Sequence, residues 1–476
     1  MTTQIPWPDA QLIGKRLDEF RDTPVRPLRR ERVAADMAWF DEHCDGSRRS
    51  AAQMRRLVPG GAQHNLALTH PVPLEIVHAA GAFLRDVDGN QYIDLVQAGG
   101  ATLLGTNHGP INAKVAEALA STGPATGLFH PYELKLAKLV HDVVPSVEMF
   151  RMFGSGTEAV MAALRISRLF TGKTHVVKVG GGYHGWSDQV LLGVRVPGSG
   201  AFAAGGVPHG VYAATHEVWP GDLDALADLM ARLESAGGVA AVLVEPLGPE
   251  SGSWPLSPEY HHHVRELCDR FGALLVYDEV VSGFRLGLGG AQALIGVTPD
   301  VTVFGKCIAG GYPGAGAVGG RQDVMAAMGG GLTDLSRGAF VGGTLAASAV
   351  SCIAGYYTII EIERTDAAAV AARAGDRLRR GLERIVAAYN LPYVVYNFGS
   401  IVHLNSTGVL TVDLRRPESA ASVPARAVAL QEFSTAFAAE GLVTIAGSRL
   451  LTSAAFSDEI VDDVLARFDR VLADAQ

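Results

Sequence analysis

Residues 273–306 read ALLVYDEVVSGFRLGLGGAQALIGVTPDVTVFGK. Two short apolar runs, 273–277 and 301–304, each end in residues that an apolar strand does not need: Asp278-Glu279 after the first, Gly305-Lys306 after the second. Runs of this length, rich in β-branched residues and bounded by charge and glycine, predict strands buried on both faces, as in parallel sheets. The pattern repeats outward. Residues 149–153, 175–179 and 239–244 are further strand candidates, with helices expected over 158–170 and 258–271. Strands alternating with helices predict an α/β domain with a mainly parallel sheet, here over residues 106–345.

The flanks read differently. FLRDVDGNQYIDLV (83–96) alternates apolar and polar residues around Asp88-Gly89-Asn90, which predicts a tight hairpin. It belongs to the N-terminal part, 51–105, of a smaller α+β domain. Residues 1–50 are polar and Arg-rich, with Leu12, Leu17 and Phe20 ahead of Pro24 and Pro27. They are expected to form a helical arm packed on another surface, such as that of a partner subunit. Beyond Thr344 a long apolar helix to about residue 363 and a more amphipathic one over 367–388 open a C-terminal region, 346–476. That region completes the smaller domain, with an apolar run at 442–445 and a closing helix over 458–472.

Composition excludes several function classes. At roughly 150 residues per domain, 476 residues suggest two or three domains. With 48% hydrophobic and 19% charged residues the chain is too apolar to be disordered. A net charge of −9 without a basic block argues against nucleic acid as a partner. The charged N-terminus and the lack of a long apolar run predict a soluble, cytoplasmic chain with no membrane association. Cys44, Cys268, Cys307 and Cys352 have neither disulfide nor zinc spacing. His261-His262-His263 fall about 100° apart on a helix and cannot chelate one ion, so no metal site is expected. Glycine, 56 residues of 476, is abundant and clusters at the ends of apolar segments, where backbone approaches a ligand closely.

Ligands of open α/β sheets bind beyond the carboxyl ends of the strands. After 149–153 comes Gly154-Ser155-Gly156-Thr157-Glu158, a helix start fit for a phosphate, although an ordinary Ser or Thr cap has the same sequence. After 175–179 comes Gly181-Gly182-Tyr183-His184-Gly185, an aromatic pair able to cover a flat cofactor. Residues 239–244 lead to Glu245-Pro246, 273–277 to Asp278, and 301–304 to Gly305-Lys306. Only 7 of the 40 basic residues are lysine, so one between an apolar strand and the run Gly310-Gly311-Tyr312-Pro313-Gly314 is not a solvated surface residue. A lysine forms imines where arginine cannot. Phosphate nest, aromatic lid, strand-end Asp and strand-end Lys together meet the needs of pyridoxal 5′-phosphate.

The ordered motifs GSGTEA (154–159), GGYHG (181–185), EP (245–246), DEV (278–280), PDVTVFGK (299–306) and GGT (342–344) resemble those of the class III, fold type I aminotransferases. The stretch ending in VFGKCIAGG is more similar to the glutamate-1-semialdehyde aminomutase branch than to the ω-transaminase branch. The resemblance implies a fold type I large domain with a smaller domain drawn from both termini. It also implies a homodimer with shared sites. It makes Lys306 the Schiff-base lysine and proton shuttle, Asp278 the partner of the pyridinium nitrogen and Tyr183 the stacking ring with His184 beside it. Ser155, Gly156 and Thr157 would hold the phosphate, Thr344 would reach the phosphate of the neighbouring subunit, and Glu245 would lend support beside the cofactor.

Departures from the family pattern fall on the substrate side. In the segment containing His64 and Asn65, Ala67 stands where the aminomutase has a carboxylate-gripping arginine, and Gly99 replaces a tryptophan. Ser448 and Arg449 occupy the place of a glutamate. These losses argue against glutamate-1-semialdehyde as the substrate. Arg449 and Arg285 are then the candidates to hold a substrate carboxylate, with a pairing of Arg449 to Asp458 as the structural alternative. Glu250 either reads a second polar group or is an exposed loop charge. Trp186 and Trp254 shape the entrance or cover core. The expected activity is amino-group transfer between an amino acid or amine and a keto acid or aldehyde. An aminomutase or racemase uses the same residues, and a non-catalytic cofactor-binding regulator is the remaining alternative.

Overall fold

Six consecutive apolar residues, Val239–Val244, are all buried, as expected of a strand covered on both faces. They lie inside a seven-stranded sheet ordered Met149–Phe153, Gly316–Gly320, Val301–Gly305, Leu274–Asp278, Val239–Val244, His175–Val179, Thr215–Val218. The computed structural model describes residues 5–64, 71–124, 127–200, 204–329, 338–445 and 448–475. Contacts divide the chain into a larger unit, Met1–Gly14, Gly109–Asp366 and Leu410–Pro417, and a smaller one, Lys15–His108, Ala367–Val409 and Glu418–Gln476.

The sheet belongs to the larger unit and is parallel apart from Gly316–Gly320, which runs antiparallel to both neighbours. All five expected strands are present, with shifts of one residue at Leu274–Asp278 and Val301–Gly305. Gly316–Gly320 has a composition that reads as loop. A Cβ at Gly316 would collide with the carbonyl of Ser155, and one at Gly320 would stand 2.5 Å from Asp300 O, so close backbone neighbours dictate glycine within a strand. Helix Gly156–Thr171 is capped by the Ser155 side chain and ends at left-handed Gly172. It packs Ala159, Ala163 and Ile166 into the core beside Val176, Leu243, Val276 and Val303.

The larger unit extends to Asp366 instead of ending near 345, because helix Ala349–Thr365 packs on helices Gly109–Thr122 and Pro131–Val143 and on the Lys306–Ala309 turn. Its Gly355 faces the carbonyl of Ile308 directly.

The smaller unit carries the expected hairpin, Phe83–Asp86 with Gln91–Asp94, extended by Ile76–Ala80 and by Leu442–Val443, which pairs in parallel with Gln91–Asp94. A second sheet joins Val394–Phe398, Ile401–Asn405 and Arg449–Leu451. Helices Ala367–Ala388 and Asp458–Leu472 match their expected bounds and pack together. Within residues 1–50, helix Arg30–His43 packs on Val423–Ala439 of this same unit, and Phe40 and Cys44 are fully buried with Ala438. This part of the arm therefore contributes core to its own chain. All four cysteines are buried, and none is in a disulfide. Among the described residues, no helix is long and apolar enough to cross a membrane.

Gly355→Ala tests how tightly the helix is seated behind Lys306. The added methyl meets a backbone carbonyl that has no rotamer to escape into, so a loss of about 1–3 kcal/mol is expected. The measurement is a shift of the urea midpoint at unchanged slope.

Candidate active site

In the register of the sheet, Asp278 lies opposite Val303 on the neighbouring parallel strand, and Lys306 follows that strand directly. Lys306 has φ +48°, a left-handed conformation that costs a non-glycine residue on the order of 1 kcal/mol. The reversal turns the chain from extended strand into the Lys306–Ala309 turn within one residue.

Val280 draws three segments together. A Cβ at Gly305 would stand 2.8 Å from Val280 Cγ1 and one at Gly156 3.1 Å from Val280 Cγ2. The strand before Lys306, the helix start and the turn after Asp278 therefore meet with no space for a side chain at either glycine. Gly185, at φ +87°, closes the group, because a Cβ there would lie 2.8 Å from the Thr157 backbone.

His184 and Asp278 form a buried polar contact. Nδ1 and Asp278 Oδ2 are 2.7 Å apart, with 1% and 5% of the two residues exposed. Burial holds the imidazole below its ordinary pKa, so the neutral ring donates its Nδ1–H and the carboxylate accepts. The other Asp278 oxygen accepts from the Val280 N–H at 3.1 Å. Behind these strands the buried His261 donates from Nε2 to the Pro246 carbonyl at 2.8 Å and receives the Tyr277 hydroxyl at 3.0 Å. It binds the Glu245 and Asp278 strand ends together. Burial lowers its pKa to about 4, which keeps it neutral in this role.

Glu245 is a buried hub. Oε1 accepts from the N–H groups of Tyr183 and Glu250, each at 2.8 Å, and Oε2 from the Ser251 N–H and hydroxyl. Burial, reinforced by Asp278 and Glu250, pushes its pKa up to about 7. Tyr183 keeps 40% of its surface exposed, with the Arg195 guanidinium 5.8 Å from its ring centre.

Several expectations need correction or placement. Glu250 is not an exposed loop charge: its side chain is 13% exposed and its carboxylate lies 3.6 Å from Arg195 Nε. Arg285 is fully buried and faces Cys307, so no part of it is open to a substrate carboxylate. Glu279 has a structural role, accepting from Ser282 Oγ and from the N–H groups of Ala291 and Gln292. Ser155 Oγ accepts from the Glu158 N–H at 3.3 Å, so Ser155 caps this helix. Thr344 is exposed and, with Leu128, Phe129 and Arg151, lines a cavity of about 1070 Å³. Trp186 is 74% exposed, and Trp254 Nε1 donates to Leu410 O at 3.0 Å.

Arg449 and His64 belong to the smaller unit. Arg449 opens strand Arg449–Leu451 opposite His403, and Asp458 lies beside Arg377 at 3.6 Å. Asn65 and Ala67 lie outside the described residues. Sequence reasoning passed over Arg195, Val280 and Lys178. Only Lys178, a lysine inside the strand HVVKV, carried a visible signal.

A helix-start nest, a half-exposed aromatic ring, a sealed strand-end carboxylate and a strand-end lysine form one constellation, and their donor chemistry fits pyridoxal phosphate. Residues 67–472 match the class-III aminotransferase family, and the chain belongs to it. It is thus a member of a family of pyridoxal phosphate enzymes, and that is its expected cofactor. Among solved structures the chain is similar to an ω-transaminase from Sphaerobacter thermophilus, at 29% identity over 91% of this chain and 99% of that one, with a TM-score of 0.80. It is also similar to a β-phenylalanine aminotransferase from Variovorax paradoxus, at 28% identity over 92% and 96%, with a TM-score of 0.79. A glutamate-1-semialdehyde aminomutase from Pseudomonas aeruginosa PAO1 matches at 25% identity over 94% and 99%, with a TM-score of 0.80. Both activities are represented among these neighbours, and the similarity assigns the chain to neither branch.

Glu245 gives a pH prediction. Its folded pKa, about 7, lies above its ordinary 4.5, so between these values the folded chain binds a proton that the unfolded chain has released. Stability from this group is greatest below pH 4.5 and declines as pH rises toward 7. Urea unfolding of the wild type and Glu245→Gln across that window should give a difference that falls with rising pH. A rising difference would mean that the surrounding N–H groups favour the anion more strongly than burial disfavours it.

Proposed function

We propose that the chain is a pyridoxal phosphate-dependent aminotransferase that moves an amino group between an amino acid or amine and a keto acid or aldehyde. The observation that carries this reading is the sealed His184–Asp278 pair on the strand next to the one that delivers Lys306. When bound, pyridoxal phosphate supplies an electron sink for the bond broken beside the substrate amine. Ser155, Gly156 and Thr157 at the helix start would hold its phosphate, and Tyr183 would lie on its ring. Asp278, with His184 donating to one oxygen and the Val280 N–H to the other, would hold a proton on the ring nitrogen. Lys306 Nζ would bind the aldehyde carbon and, once displaced by the substrate amine, carry a proton to and from the substrate carbon. Glu245 fixes Tyr183 through its backbone and keeps the 250–251 turn in place.

An isomerase uses the same residues and differs in keeping both halves of the reaction on one molecule. The resemblance of residues 278–311 to the aminomutase branch favours it, and Ala67 in place of the carboxylate clamp weighs against glutamate-1-semialdehyde as its substrate. Arg449 of the smaller unit is the remaining proposed carboxylate partner.

We also propose a homodimer in which Thr344 serves the partner's site. Leu128, Phe129 and Leu345 are 78%, 76% and 62% exposed, and the first two line one cavity with Thr344. Apolar side chains grouped in this way mark an association surface, and a second copy of the chain is the occupant we assign to it.

Borohydride reduction followed by peptide mapping should find the pyridoxyl group on Lys306; a label on Lys173 or Lys178 would overturn the assignment. With an amine donor alone, a transaminase should convert its cofactor stoichiometrically to the amine form, whereas an isomerase should do so only transiently.

Mixing inactive Lys306→Ala chains with inactive Thr344→Ala chains should restore part of the activity, because one of the two sites in a mixed dimer is intact. Mixed dimers that form but stay inactive would refute shared sites.

A further inference from the structure

A lysine lies within a strand of the sheet, and it has no role in the chemistry above. Lys178, on strand His175–Val179, is fully buried. Its Nζ donates to the carbonyls of Gly182 at 2.8 Å, Val190 at 3.0 Å and Leu192 at 2.9 Å. An ammonium has three N–H groups and no acceptor, so these carbonyls use its full capacity. Removing a charge from water is costly unless it is satisfied in this way, so the three bonds hold one another in place.

The three acceptors lie along one loop. The chain leaves the strand, passes Gly182-Tyr183-His184 and returns through the Asp188–Val190 turn to Leu192. The return is stitched beside the exit, with the Gly181 N–H on Gly193 O at 2.7 Å and the Gly193 N–H on Gly200 O at 2.7 Å. Lys178 therefore ties the point just before Tyr183 to the point where the loop comes back. Tyr183 and His184, the next residues after Gly182, have their backbone start fixed by it. The carboxylates that act on the ammonium are Glu217, Glu245 and Asp278, the last two being the residues that receive Tyr183 and His184. The field of this buried cation thus acts on the same carboxylates that the loop is bonded to.

We propose that Lys178 is a positioning residue for the cofactor-covering loop: by closing residues 182–192 around its ammonium it sets the Tyr183 ring and the His184 imidazole at the angles the site needs. The inference rests on the pyridoxal phosphate reading above and adds to it a residue that touches neither cofactor nor substrate. A lysine retained only for packing would be replaceable by an apolar side chain of equal length. A positioning lysine would not be.

The test titrates the full chain, stripped of cofactor, with pyridoxal 5′-phosphate. It reads tryptophan fluorescence quenching for affinity and visible circular dichroism for the orientation of the bound ring. Three variants are compared with the wild type: Lys178→Met, Lys178→Arg, and Gly381→Ala as a control for general destabilisation. Gly381 packs directly on the Leu465 side chain in the smaller unit, so the control introduces strain without altering the loop. Lys178→Met should weaken affinity roughly ten- to a hundred-fold and change the dichroic band, while the cofactor-free chain melts no lower than Gly381→Ala. Lys178→Arg, which keeps the cation, should recover part of both signals. Unchanged affinity and dichroism in Lys178→Met, or losses equal to those of Gly381→Ala, would overturn the proposal. If Lys178→Met does not fold, Lys178→Gln, which removes the charge and leaves too few donors for the three carbonyls, decides in its place: a changed band with melting no lower than Gly381→Ala supports the proposal, and wild-type affinity and dichroism refute it. A wild-type chain that binds no cofactor, or that is labelled by borohydride away from Lys306, overturns the reading of the site and this inference with it.

Discussion

The 2.7 Å hydrogen bond between His184 and Asp278 spans more of the fold than its length suggests. Asp278 ends the Leu274–Asp278 strand, and His184 belongs to the loop after His175–Val179, two positions away in the sheet. Between them lies Val239–Val244, whose next residue, Glu245, takes the Tyr183 N–H. The loop is thus fastened to two successive strand ends by bonds to buried carboxylates. Charge-assisted bonds of this kind contribute about 1.5–3 kcal/mol each, and losing one partner leaves a carboxylate buried without compensation.

Concentrating carboxylates at one edge of a parallel sheet raises an electrostatic problem, which the structure answers in two ways. Glu245 receives three backbone N–H groups and a hydroxyl, and even so burial lifts its pKa to about 7. Lys178 brings a positive charge to the same interior and gives up hydration for three carbonyls, with its pKa drawn down to about 8 by burial. Arg195, outside this interior, lies beside Glu250 and over the face of Tyr183. Acidic chemistry at the strand ends is compatible with folding because each charge is answered by a donor within the same unit.

Close backbone approach is the other condition of the site. Val280 fits between Gly156 and Gly305, and Gly185 rests on Thr157, so helix start, strand end and covering loop come within van der Waals distance. Glycine at 156, 185 and 305 follows from this geometry. A methyl group at any of these positions would separate the nest from Lys306 or from the loop, and the left-handed turn at Lys306 would lose the packing that sustains its strain.

The sequence by itself determined the strands that lead to chemistry, because runs such as Val239–Val244 and Met149–Phe153 are apolar on both faces and end in charge or glycine. It also singled out Lys306 and Asp278, on which the proposed site rests, since a lysine and a carboxylate at strand ends have no packing reason to be there. It did not identify Gly316–Gly320 as a strand, because those glycines answer to the carbonyls of Ser155 and Asp300, which are distant in sequence. It gave Arg285 the wrong surroundings and could not decide between an exposed and a covered Glu250, since burial depends on what the rest of the chain places over a residue. Which acceptors enclose Lys178, and which carboxylates its field acts on, likewise became visible only once the loop had closed, because hydrogen bonds and charge interactions depend on distance in space and not on distance along the chain.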